Sequence, residues 1–211
     1  MKNKINENCV PEIQRTIKTI QSSSNFELVI KKSKFIADAF PLKSLDEAGN
    51  LISFVRKKYP DASHHCFAYV FGTQKELYRY NDDGEPSGTA GKPILQTILY
   101  FDLTNVMVFV TRYFGGIKLG ASGLVRAYAE CAKMVLSSAV IIEIPILKEI
   151  VFEVDYLYFP KIKSLILEYL QSVEETYYSN FVKVRGMVSE ENYLIFKKIL
   201  LNQTSGKILF K

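Results

Sequence analysis

Ile141-Ile-Glu-Ile-Pro145 is the stretch that decides the fold, because the pattern of strands and helices restarts there. Beyond it, Glu149 to Asp155 reads as a strand. Pro160 opens a helix whose face carries Ile162, Leu165, Ile166, Tyr169 and Leu170. Val173 to Tyr178 and Phe181 to Val188 read as two strands joined by Ser179-Asn180. Ser189, with Glu190 and Glu191, starts a helix to about Leu201, and Lys207 to Phe210 is a last strand. This order is the ferredoxin-like βαββαβ arrangement. The chain is therefore expected to be a two-domain α+β protein. A polar lead-in covers 1–24, an N-terminal domain 25–139 and the ferredoxin-like domain 140–211.

Ahead of the restart, Phe26 to Ile30 and Ser33 to Leu42 read as strands. Ser44 followed by Glu47 matches a capping box, and Leu45, Ala48, Ile52, Val55 and Tyr59 make one apolar helical stripe. His64 to Thr73 and Glu76 to Tyr80 read as a hairpin pair. A short helix is expected from Pro93 to about Phe101, and a buried strand from Thr104 to Arg112. After the glycines of 115–120 comes a helix with Leu124, Val125, Tyr128, Ala132 and Val135 on one face.

The 211 residues are 48% hydrophobic and 23% charged, a globular composition that excludes disorder for the bulk of the chain. No run approaches the roughly 18 apolar residues of a membrane span. The N-terminus has no apolar core of a secretory signal. Cys9, Cys66 and Cys131 are odd in number and far apart, which argues against a disulfide framework and for a reducing cytoplasm. Charge is uneven. Residues 1–138 carry 18 Lys and Arg against 13 Asp and Glu, whereas residues 139–211 carry 9 of each. The surplus in the first two-thirds points weakly to a polyanionic partner.

Two segments stand out as chemistry. Asn81-Asp-Asp-Gly-Glu-Pro-Ser-Gly-Thr-Ala-Gly-Lys92 is dense in turn formers and leads into a helix start, a place that favours an anion. Ser87 and Thr89 add hydroxyls. Asp82, Asp83 and Glu85 repel phosphate unless they point away or hold a cation. The spacing matches neither a Walker loop nor an EF-hand, so no metal site is assigned. Thr111-Arg-Tyr-Phe-Gly-Gly-Ile-Lys-Leu-Gly120, followed by Arg126, interleaves cations, aromatics and glycines at a strand end. A planar ring can stack a base and a cation can hold its phosphate. The candidate anion or nucleic-acid contacts are Lys92, Arg112, Tyr113, Phe114, Lys118 and Arg126, expected around one concave surface. Arg112 has a structural alternative, pairing with a loop acid such as Asp83. His64 and His65 adjoin on a strand, so their side chains point to opposite faces; one packs and one is free to face a cleft. No catalytic residue and no cofactor is assigned.

The segments Asp82–Gly91 and Thr111–Gly120 closely resemble the signatures of the IMPACT/YigZ family. Lys31-Lys-Ser-Lys-Phe-Ile36, His64-His-Cys-Phe-Ala-Tyr69 and Gly123-Leu-Val-Arg-Ala-Tyr128 match its flanking blocks. Ala121-Ser122 departs from the pattern, where a small residue and a second glycine are usual. The resemblance covers about Thr16 to Ser138. It implies a first domain like the fourth domain of elongation factor G and a ferredoxin-like second domain like that factor's fifth. It also implies relatives that act in translational control through a protein partner. The leading expectation is a cytoplasmic, non-enzymatic, translation-associated regulator that binds RNA or ribosome and no membrane. The alternatives are a small-molecule or phosphate-ester enzyme using the Asp82–Gly91 loop, and a pure protein-interaction module.

Overall fold

The computed structural model describes residues 16–211. Residues 1–15 of the expected lead-in, Cys9 among them, lie outside the described residues. The rest is a mixed α/β fold with antiparallel sheets of five and four strands and five helices among the described residues. It divides into two compact units, residues 17–144 and 145–211.

The first unit is built on the sheet order β2 (Ser24–Ile30), β3 (Ser33–Pro41), β6 (Val106–Tyr113), β4 (His64–Phe71), β5 (Leu77–Asn81), every neighbour antiparallel. Strand β6 lies at the centre, and its first seven residues are buried because helices cover both faces. Alternation sorts its side chains. Val106, Val108 and Val110 join Phe35, Ala37, Ala39, Cys66 and Ala68 beneath α2 (Gly91–Tyr100) and α3 (Ala121–Ser138). Met107 and Phe109 face the other way and meet Phe67 and Val55, the latter from α1 (Asp46–Lys58).

Three local readings are corrected. The stretch read as lead-in ends in a strand: β1 (Thr16–Ile20) pairs with β7 (Ile141–Pro145), and Ile17 and Ile20 are buried. Two isolated isoleucines among polar residues gave too little period to read as a strand. The capping box does not form. Leu45 precedes the helix without a side-chain cap, and Glu47 instead accepts from the Lys43 N–H at 2.8 Å. On α3 the buried face is Leu124, Ala127, Tyr128, Cys131, Ala132, Val135 and Leu136, whereas Val125 is 38% exposed.

The second unit runs β8 (Leu147–Asp155), α4 (Phe159–Tyr169), β9 (Leu170–Tyr177), β10 (Phe181–Ser189), α5 (Glu190–Gln203), β11 (Ile208–Phe210). Its sheet order is β11-β8-β10-β9, with all pairs antiparallel. Ile150, Phe152, Val154, Val182 and Val184 alternate onto one face, against Ile162 and Ile166 of α4 and Phe196 and Leu200 of α5.

Phe109→Ala is expected to destabilise the first unit by about 3–5 kcal/mol, because a fully buried ring leaves a cavity in a sheet covered on both faces. Leu167→Ala, at an exposed position on α4, should change stability by no more than about 0.5 kcal/mol. Urea unfolding measures both; equal effects would contradict the layering.

Candidate functional site

His64, Arg112 and Phe35 are cross-strand neighbours: Arg112 pairs with Phe35 of β3 on one side and with His64 of β4 on the other. They lie at the end of the sheet, on the α3 side. The loop Asp82–Ala90 folds over this end, and the glycine segment 115–120 leaves β6 there to reach α3.

The three loop acids all turn inward. Asp82 accepts three backbone N–H groups: Ala90 at 3.0 Å and Gly91 at 2.8 Å on Oδ1, and Gly88 at 2.9 Å on Oδ2. These donors lead into the first turn of α2, so the anion expected at this helix start is the chain's own carboxylate. Gly91 is required there, since a Cβ would come within 2.8 Å of the Asn81 backbone. Asp83 accepts the His65 N–H at 2.6 Å and pairs with Arg56. Burial pushes its pKa up, but the His65 N–H and Arg56 outweigh this and leave it lowered. Glu85 is buried and takes Arg112 Nη1 at 2.6 Å and the Tyr128 hydroxyl at 2.8 Å on the same Oε1.

Arg112 is therefore a structural residue with a neutralised charge. It is 5% exposed, donates also to Ser33 Oγ at 3.2 Å, and lies between the rings of Phe35 and Phe114. The expected alternative of pairing with a loop acid is realised with Glu85 instead of Asp83, because Asp83 faces Arg56. Thr89 is buried and donates to the Pro86 carbonyl at 2.6 Å; Ser87 is exposed. The histidines separate as alternation requires. His65 packs with Nε2 2.9 Å from the Tyr59 carbonyl. His64 Nδ1 lies 2.8 Å from the Asp83 carbonyl, which can only accept, so Nδ1 bears the proton.

Concave surfaces open on this unit among the described residues. A cleft of about 370 Å³ is lined by His64, Glu85, Arg112, Phe114, Lys118 and Gly120. A larger groove of about 860 Å³ runs over α2 and α3 and carries Arg126. The six expected contacts are thus not one surface. Arg112, Phe114 and Lys118 share the cleft, Arg126 lies in the groove, Lys92 lines neither and Tyr113 is half-buried. Gly115 brings the pieces together, since a Cβ there would stand 2.0 Å from the Lys32 carbonyl oxygen. Ser33 and Tyr128 were not legible as site residues. One is a lone serine after a lysine pair, and the other sat within an apolar stripe. Cys66 and Cys131 are buried, and burial pushes both thiols up to about 12, away from nucleophilic chemistry. No three His, Cys, Asp or Glu side chains converge as a metal site among the described residues.

Residues 31–136, which contain the loop, the cleft and most of the groove and of α3, match the Impact N-terminal domain family. The chain belongs to the IMPACT family. It is 35% identical to IMPACT family member YvyE of Bacillus subtilis (strain 168), over 90% of this chain and 87% of that protein. It is 34% identical to IMPACT family member YigZ of Escherichia coli (strain K12), over 85% of this chain and 89% of that protein. A crystal structure of a hypothetical protein superposes with a TM-score of 0.74 at 28% identity, covering 94% of this chain and 97% of that one. Protein IMPACT of Rattus norvegicus is similar over a shorter span, 27% identical over 50% of this chain and 34% of its own length. The departure of this chain from the family signature, Ala121-Ser122, falls in the first turn of α3.

Asp82→Ala should destabilise the first unit by about 1–3 kcal/mol, because it strips the acceptor from three N–H groups. Amide exchange at Ala90 and Gly91 should quicken; unchanged protection there would contradict the capping role. Asp83→Asn tests the lowered carboxyl. A lowered native pKa adds stability above the unfolded value of about 3.9 and loses it as pH falls through the native value. The variant should therefore be weaker than the parent at pH 7, with the gap closing below about pH 4. A gap in urea midpoint that stays constant down to pH 2 would count against it.

Proposed function

We propose that this chain is a non-enzymatic, cytoplasmic binding protein that acts in translation control by holding a phosphate-bearing partner, RNA or ribosome, at the Arg112–Lys118 cleft. One observation carries the reading. Asp82, Asp83 and Glu85 are all turned inward onto protein donors, so the loop beside the cleft does not repel an anion. What remains at the rim is cationic and planar. Lys118 is exposed and has no ion-pair partner among the described residues. Phe114 is 47% exposed. The first turn of α3 has no side-chain cap and no acidic residue, which leaves its N–H groups for an acceptor. A cation, helix-start donors and a stacking ring make a phosphate-and-base contact rather than a cofactor pocket.

The fold supports the same reading. We read the second unit, with the order β11-β8-β10-β9 over a βαββαβ chain, as a ferredoxin-like domain. We read the first unit as the counterpart of the fourth domain of elongation factor G. No helix among the described residues is long and apolar enough to cross a membrane.

Fluorescence anisotropy with a single-stranded RNA oligomer tests the site. Lys118→Ala should weaken binding similarly across sequences and reduce the salt slope by about 0.7 for one lost phosphate contact. Phe114→Ala should weaken binding by about 1–3 kcal/mol per stacked base with little change in salt slope. If a folded Lys118→Ala chain binds as the parent does at several salt concentrations, the cleft is not a phosphate site.

A further inference from the structure

The groove over α2 and α3 is a different surface from the cleft and carries different chemistry. Its floor is apolar: Pro93 and Thr97 from α2, Leu119 from the glycine segment, Val125 and Ala129 from α3. Val125 belongs to the motif that was read as core, yet α3 turns it outward. Tyr100 stands at one side, 83% exposed, a large ring left in solvent with no core to fill.

The rim is basic. Lys31, Arg126 and Lys133 line the groove, and Glu130 is the one acid among its lining residues. None of the three cations has an ion-pair partner among the described residues. Lys31 is also held against local preference. With Lys32 it fills the two central positions of the turn between Ile30 and Ser33, at φ 45° and 66°. Asn and Gly are the residues that such a turn selects, and a lysine there is strained. Lys31 stands on this turn where it lines the groove.

We infer that this groove docks an acidic amphipathic helix of a protein partner. Charge decides the sign, because three unpaired cations around an apolar floor complement a partner with glutamates or aspartates beside its apolar face. The floor decides the conformation. It is lined mainly by side chains of α2 and α3, which give a partner's backbone little to pair with, so an extended peptide would bury its own N–H and C=O groups without partners. A helix arrives with them satisfied. Length follows from the lining residues. Gly123 to Lys133 spans about 15 Å of helix axis, which matches about three turns of a partner helix with anchors at i, i+3 or i+4 and i+7. Nucleic acid fits this surface less well, since an apolar floor gives a phosphate backbone nothing to pair with.

The test uses the full chain and three labelled probes. The first is a 16-residue helical peptide with leucines on one face and glutamates on the other. The second replaces each glutamate with lysine. The third is a ten-nucleotide single-stranded RNA. The glutamate peptide should bind at least tenfold more tightly than the lysine peptide. Arg126→Glu combined with Lys133→Glu should remove that preference, and Tyr100→Ala should weaken the glutamate peptide severalfold. All three positions are exposed, and circular dichroism melts will show that the variants fold. Lys118→Ala should leave the peptide affinity unchanged, which keeps this groove separate from the phosphate cleft. The inference is overturned if the glutamate peptide does not bind, if both peptides bind equally, or if the double charge reversal leaves the affinity unchanged. It is also overturned if the double reversal abolishes RNA binding while no peptide binds. Sedimentation gives a further overturning outcome: a parent dimer that the double reversal converts to monomer would assign the groove to a second copy.

Discussion

One carboxylate oxygen ties three parts of the first unit together. Glu85 Oε1 receives the Arg112 guanidinium from the end of β6 and the Tyr128 hydroxyl from the middle of α3, while Glu85 itself belongs to the loop between β5 and α2. Strand end, loop and helix meet at that point. A buried pair of this kind contributes little when intact relative to an apolar substitute, because desolvation offsets the attraction. Breaking it is severe, because it leaves an uncompensated charge. Its value here is in placement. It holds the loop down over the sheet, and Ser33 and the two flanking rings hold the guanidinium flat.

The consequence is an inverted loop. Three acids within four residues look like an exposed acidic patch, yet each is matched to a donor that the fold supplies. Asp82 takes the helix-start amides, Asp83 takes His65 and Arg56, and Glu85 takes Arg112 and Tyr128. Negative charge is withdrawn from the surface, whereas the lysines of the turn and of the glycine segment remain in water. The positive character of the first unit is thus sharper than its net charge suggests. Two concave surfaces of differing character result, one with a ring and helix-start donors and one with an apolar floor. Leu119 borders both.

Much of the architecture was legible from the amino-acid order, for plain reasons. The central strand Val106–Tyr113 is a continuous apolar run, as a strand covered on both faces must be. The tail showed its six elements through period and punctuation, from the proline that opens α4 to the short polar turn at Ser179-Asn180. Gly91 and Gly115 stood in the sequence only as glycines of turn-rich segments, and the structure shows that each meets another stretch of backbone closely. The separation of His64 from His65 follows from the pleat alone.

What the tertiary structure alone decided is partnership. Sequence set the residue types near the site, because side-chain chemistry and local period are properties of neighbours along the chain. It could not say which cation an acid would meet. Arg112 lies 27 residues from Glu85 and 79 from Ser33, and only the antiparallel register of β3, β6 and β4 brings them together. The same register buried an arginine that composition counted as a ligand contact. The rotation of α3 against the sheet sent Val125 outward and parted Arg126 from Lys118, because a helix face is chosen by what it packs on and not by its apolar content alone.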